Sequence, residues 1–208
     1  MRKFIYCLLL PLLLCAQTAW AQDAPLFEAV AAGRLEEVER LVGAGAAVNA
    51  RNENAETPLY VAAQEGYAAI VRFLLDKGAD VKIPTENGET VLHAAALSGD
   101  AAVITLLLDR GAEVDRANRD GERALFWAAL AGNGRAAQIL LDHGAKINAV
   151  DAHGNSALHA AADGGYETTT WLLLDQGANR ALRNRAGDTP LDLARERGYR
   201  NIAELLRR

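Results

Sequence analysis

Four histidines, His93, His143, His153 and His159, are the side chains of this sequence whose ordinary pKa best suits proton transfer near neutrality. A catalytic histidine needs an orienting group and a nucleophile or substrate within reach, but the positions here follow another logic. His93 and His159 hold the same place in two copies of a helix-start motif, His143 precedes Gly144, and His153 precedes Gly154. No serine lies in a glycine-flanked nucleophile context, and no G-x-x-x-x-G-K-[ST] phosphate loop occurs. Carboxylates are scattered as a solvated surface would scatter them. The expectation is a chain that is not an enzyme, with no catalytic residue, no metal and no cofactor.

The first 21 residues differ from the rest. Arg2 and Lys3 precede an apolar run from Phe4 to Ala16, interrupted by Pro11, and Ala19-Trp20-Ala21 closes the segment. This is the layout of a secretory signal peptide, 1–21, cleaved after Ala21 to leave 22–208. A membrane-spanning helix is the competing reading, but the run falls short of the roughly 20 apolar residues a bilayer needs. A lipoprotein anchor on Cys15 is a third, disfavoured by Leu14 before it. Both cysteines, Cys7 and Cys15, fall inside the segment, so the mature chain would form neither a disulfide nor a thiolate metal site. The short basic start and Ala-x-Ala ending look bacterial. The expected destination is the periplasm, or secretion beyond it, with no stable membrane anchor after cleavage.

Of the 22 basic and 27 acidic side chains, removal of Arg2 and Lys3 leaves 20 against 27, a formal charge of −7. An acidic chain is a poor partner for nucleic acid. The charge is also uneven, with 16 acids and 7 bases from Asp23 to Asp115 and 11 acids and 13 bases from Arg116 to Arg208. A lengthwise dipole follows.

What must position these side chains is a pattern that recurs every 33 residues without insertion or deletion. Thr57-Pro58-Leu59-Tyr60-Val61-Ala62-Ala63 returns at Thr90, Arg123, Ser156 and Thr189, and a worn first copy starts at Ala24. Leu74-Leu75-Asp76-Lys77-Gly78-Ala79 returns at 107–112, 140–145 and 173–178. The spacing gives six units at about 22–51, 52–84, 85–117, 118–150, 151–183 and 184–208. Thr57, Thr90, Ser156 and Thr189 read as helix N-caps, and Pro58 and Pro190 as first helical residues. Glycines from Gly33 to Gly198 stop each short first helix. A second helix with apolar residues at helical spacing, such as Ile70, Val71, Leu74 and Leu75, ends at glycines such as Gly78. Asn87-Gly88, Asp120-Gly121 and His153-Gly154 read as tight turns between units. Helices of about eight residues are marginal alone, so neighbouring units must cover one another as a solenoid.

By period, helix-start motif and Leu-Leu-Asp-x-Gly-Ala ending, the sequence from about residue 23 to 208 resembles ankyrin-repeat proteins. The resemblance implies an all-α solenoid of six helix-turn-helix units with short turn or hairpin connections. It also implies recognition of another protein through the turn tips and the exposed side of the first helices, a concave strip. Carried over by position, that strip holds Glu53, Asn54, Glu56, Gln64 and Glu65 in the second unit. Glu86, Asn87, Glu89, Leu97 and Ser98 follow in the third, Arg119, Asp120, Glu122 and Leu130 in the fourth, and His153 and Asn155 in the fifth. The six glutamates would repel one another unless a basic partner neutralised them, and Leu97 and Leu130, in a slot otherwise filled by Gln64, Asp163 and Glu196, form an apolar centre. The leading expectation is a periplasmic protein-interaction module. Two sharper versions are an inhibitor or immunity protein of a secreted enzyme and an accessory to a periplasmic catalase in oxidative defence. An envelope role through Trp171 and the basic last unit is a further alternative.

The sequence departs from the pattern at Ala24 and Arg123, where an N-cap is missing, and at Ala55, where the turn glycine is missing. Phe126 and Trp127 are expected to fill space against adjacent repeats rather than face a partner. Trp171, in a slot that elsewhere holds Arg72, Thr105, Gln138 and Glu204, is expected to be exposed on the outer helix face.

Overall fold

The computed structural model describes residues 23–207; the expected signal peptide lies outside them. Helix α1 runs over 23–31 and pairs with α2, Leu35–Gly43. The pairs that follow are α3 (Pro58–Gln64) with α4 (Ala68–Asp76), α5 (Val91–Ser98) with α6 (Ala101–Asp109), and α7 (Ala124–Leu130) with α8 (Gly134–Asp142). Then come α9 (Ala157–Asp163) with α10 (Glu167–Asp175) and α11 (Pro190–Glu196) with α12 (Arg200–Arg207). Among the described residues no strand forms, and one isolated antiparallel bridge joins Val150 to Ser156. The architecture is all-helical, as the repeat predicts.

The helices stack in two rows. The first helices α3, α5, α7, α9 and α11 pack in succession, and so do the second helices from α2 to α12. The first row is the tighter because its contact positions carry almost no side chain: Ala62, Ala63, Ala95, Ala96, Ala128, Ala129, Ala161 and Ala162 are fully buried. Between the rows lies one continuous core, to which Leu59, Leu92, Leu125 and Leu158 contribute from the first helices and Leu74, Leu107, Leu140 and Leu173 from the second. Each repeat thus covers the apolar side its neighbour cannot cover alone.

The helix ends are built as the residue types require. The Thr57 hydroxyl accepts from the Tyr60 N–H at 3.1 Å, and the Thr189 hydroxyl accepts from the Asp192 N–H at 3.2 Å. Arg123 makes no such cap; its guanidinium instead donates to the Gly121 carbonyl at 3.1 Å, and its Nε is buried without a partner. Ala55 takes the glycine conformation its position demands, with φ of 59°. Gly132 is needed for a second reason as well: a Cβ there would overlap the Tyr166 ring.

Candidate functional site

The turn tips share one construction. Five residues before the N-cap of α3, α5, α7, α9 and α11, a side-chain oxygen gathers the amides of the tip. Asn52 accepts from Asn54 and Glu56 at 3.0 and 2.9 Å, Asn118 from Asp120 and Glu122 at 3.0 and 2.9 Å, and Asp151 from His153 and Asn155 at 2.8 and 2.7 Å. Thr85 and Asn184 do the same for Glu89 and Asp188 at 3.2 and 2.9 Å. Side chains of this kind fold back on their own backbone in preference to continuing regular structure. Successive tips are then tied backbone to backbone. The Arg119 N–H donates to the Asn87 carbonyl at 2.9 Å, Ala152 to Asp120 at 2.7 Å and Arg185 to His153 at 2.8 Å. Gly121 permits the approach, since a Cβ on it would stand 3.1 Å from the Ala152 nitrogen.

A second set of links comes from the third residue of α3, α5 and α9. The Thr90 N–H donates to His93 Nδ1 at 3.0 Å, which leaves Nε2 carrying the proton and donating to the Glu122 carbonyl of the next repeat at 3.1 Å. His159 repeats this with Ser156 at 3.2 Å and the Asp188 carbonyl at 3.1 Å. Burial pushes both imidazoles below the ordinary histidine pKa, more than their hydrogen bonds to the next repeat raise them. In the second repeat Tyr60 fills the slot, and its hydroxyl donates to the Glu89 carboxylate at 2.9 Å. Burial first, and then the Glu89 charge, pushes the phenol well above the ordinary tyrosine value. These histidines hold repeats together. His143 Nδ1 lies 2.8 Å from the Ile139 carbonyl, a local helix-end contact. Among the described residues, no group of three His, Cys, Asp or Glu side chains is arranged to hold a metal ion.

The sixteen residues expected on the strip divide in two. Glu53, Asn54, Gln64, Glu65, Glu86, Asn87, Leu97, Ser98, Arg119, Asp120, Leu130 and His153 are exposed along one face of the stack. Glu56, Glu89, Glu122 and Asn155 are half-buried and engaged within the chain. The Glu56 carboxylate accepts from the Asn52 amide, and that of Glu89 from Tyr60 and from the Thr85 hydroxyl at 3.3 Å. The Glu122 carboxylate accepts from Asn118 and from Trp127 Nε1, both at 2.8 Å. Asn155 Oδ1 accepts from Asn184 at 3.0 Å. The expected mutual repulsion of six glutamates therefore reduces to three free ones, Glu53, Glu65 and Glu86, because donors inside the turns already satisfy the other carboxylates. Nothing in the glutamates themselves separates the two groups; the separating signal is the Asn or Thr five residues before the N-cap and the aromatic donors Tyr60 and Trp127.

Leu97 and Leu130 are 41% and 48% exposed on neighbouring first helices. Beside Leu130 opens a groove of about 280 Å³ whose lining includes Phe126, Ala160, Leu193, Glu196 and the Asp163–Arg197 pair, bonded at 2.7 and 3.2 Å. Trp127 packs its ring edge-on against His93, with centroids 5.4 Å apart, as the space-filling reading expects. Phe126 does both things, since it packs against the core and also lines the groove. The strip is thus a hydrogen-bonded row of tips with a leucine centre and an open groove beside it, a geometry suited to holding a segment of another macromolecule.

Four overlapping matches to the family described as ankyrin repeats (3 copies), at residues 6–85, 26–118, 81–151 and 148–208, together cover most of the chain. The chain belongs to the ankyrin-repeat family. No curated protein is similar enough to be matched to it. Ankyrin repeats generally mediate protein–protein interaction and are typically not enzymes. The ankyrin stack also carries a second apolar surface. Trp171, 55% exposed, stands on the second-helix row beside Leu172 and Leu205 in an open groove of about 680 Å³ rimmed by Arg135, Gln138 and Glu167. No described helix is long and apolar enough to cross a membrane.

Proposed function

We propose that this ankyrin-repeat chain is an exported, periplasmic interaction module that binds a partner protein through its turn tips and first-helix face and catalyses no reaction. The observation that carries the binding face is the exposure of Leu97 and Leu130 in a slot that three other repeats fill with Gln64, Asp163 and Glu196, beside the row of hydrogen-bonded tips. Apolar side chains ringed by polar ones are the usual anatomy of a binding hot spot. Export is supported by the basic start, apolar run and Ala19-Trp20-Ala21 ending of the first 21 residues. Glu53, Glu65 and Glu86 supply the field that steers a basic surface toward the near end of the strip.

Two measurements test this reading. N-terminal sequencing of chain recovered from the periplasm is expected to begin at Gln22, and a chain retained whole in the cytoplasm contradicts export. Affinity capture from periplasmic extract is expected to recover one protein with the parent chain and to lose it with the Leu97→Asp, Leu130→Asp double variant. Equal recovery by both chains removes the binding face from these leucines.

A further inference from the structure

The binding strip has a direction. Two positions can be followed from repeat to repeat along it. The tip position reads Glu53, Glu86, Arg119, Ala152, Arg185, and the position ending the first helix reads Glu65, Ser98, Ala131, Gly164, Arg197. Both run from acid in the second repeat to base in the sixth, and all four end residues are exposed. The surrounding charges keep the same sense. Segments 51–66 and 84–99 hold one base, Arg51, against five acids, whereas segment 183–198 holds four arginines against Asp188, Asp192 and Glu196. Arg51 sits at the position of Arg183, so these two cancel between the ends. Arg197 is held by Asp163, while no side-chain partner of the Arg185 guanidinium is found among the described residues. Between the charged ends lie Leu97, Leu130 and the groove under Phe126 and Leu193.

We infer that the strip takes a partner segment of segregated charge: basic side chains over Glu53 and Glu86, apolar side chains at the centre, and an acidic side chain over Arg185. This rests on the binding-face reading above and adds polarity and register to it. Packed helices stand about 8–10 Å apart, so the four steps from second to sixth repeat span about 32–40 Å, and an extended segment of about ten to twelve residues covers that distance. A segment laid the other way would set like charges together at both ends, which is how an interface rejects a wrong register.

The probe is a yeast-displayed library of random 12-residue peptides sorted against the full chain. Enriched peptides are expected to gather Lys and Arg at one end and Asp and Glu at the other, around an apolar middle. At low salt, Glu53→Lys with Glu86→Lys is expected to slow their association about tenfold. Arg185→Glu should weaken the same peptides, and both effects should shrink as salt rises. Thermal melts of these surface variants verify that they fold. Peptides that depend on Leu97 and Leu130 but show no charge segregation, and ignore the charge reversals, overturn the polarity and leave the binding face standing. A library with no binder sensitive to Leu97→Asp and Leu130→Asp overturns the binding face and the polarity with it.

Discussion

Thr170 occupies a position that holds Val71, Ile104, Ala137 and Ala203 in other repeats, and it is fully buried with its hydroxyl unpaired. Valine has the same shape without the polar atom, so Thr170→Val is expected to stabilise the fold by about 1–2 kcal/mol, read from the midpoint of urea denaturation. At the first full tip, Ala55 holds a φ of 59°, a conformation that costs an L-residue about 1 kcal/mol or more relative to glycine. Ala55→Gly is accordingly expected to raise the same midpoint, offset in part by the greater freedom of glycine in the unfolded chain. His93 and His159 set a pH dependence. Burial holds their folded pKa below the unfolded value, so their neutral form contributes in full above about pH 6.5. As pH falls below that value the unfolded chain takes up protons that the folded chain resists, and stability declines. Replacing both histidines with glutamine should flatten the decline in stability below about pH 6.5; an unchanged slope would assign it to other groups.

At the scale of the helix pair, Gly132 joins α7 to α8 with φ of 73° and lies against the Tyr166 ring of the next repeat. Gly132→Ala is expected to destabilise by more than about 2 kcal/mol, since it adds a left-handed alanine to a steric overlap, whereas Gly144→Ala meets no neighbour and should lose only the conformational part. Arg123→Thr should recover about 1 kcal/mol by restoring an N-cap to α7. The helix pairs were readable in the sequence because their signals are local: Thr-Pro at a start, glycine at a stop, and leucines at helical spacing. The links between repeats were not. That His93 reaches the Glu122 carbonyl, or that Tyr60 takes up the Glu89 carboxylate, depends on residues 29 apart meeting across the stack. Glutamates of identical type and spacing therefore separate into structural and free ones only once the tips are assembled. Trp171 was legible as exposed because its slot is polar in the other repeats, but the shelf formed by Leu172 and Leu205 beside it requires two helices at once.

The whole molecule is a stack in which each repeat touches only its neighbours, with the tips bonded into one row and the leucines set on that row. Its function is proposed to lie in that shape and in the charge distributed along it. The first-helix row is fixed by buried alanines and the tips by backbone hydrogen bonds, so the face is preorganised and little ordering is required on binding. The most direct test places a photoreactive amino acid at Leu130 on the binding face and, in a second chain, at Asp109, an exposed position at the end of α6 on the second-helix row. Irradiation in living cells is expected to give one discrete crosslinked protein from Leu130 and none from Asp109. Crosslinks of equal yield from both positions, or none from Leu130, would contradict the claim that the turn-tip face is where this protein meets its partner.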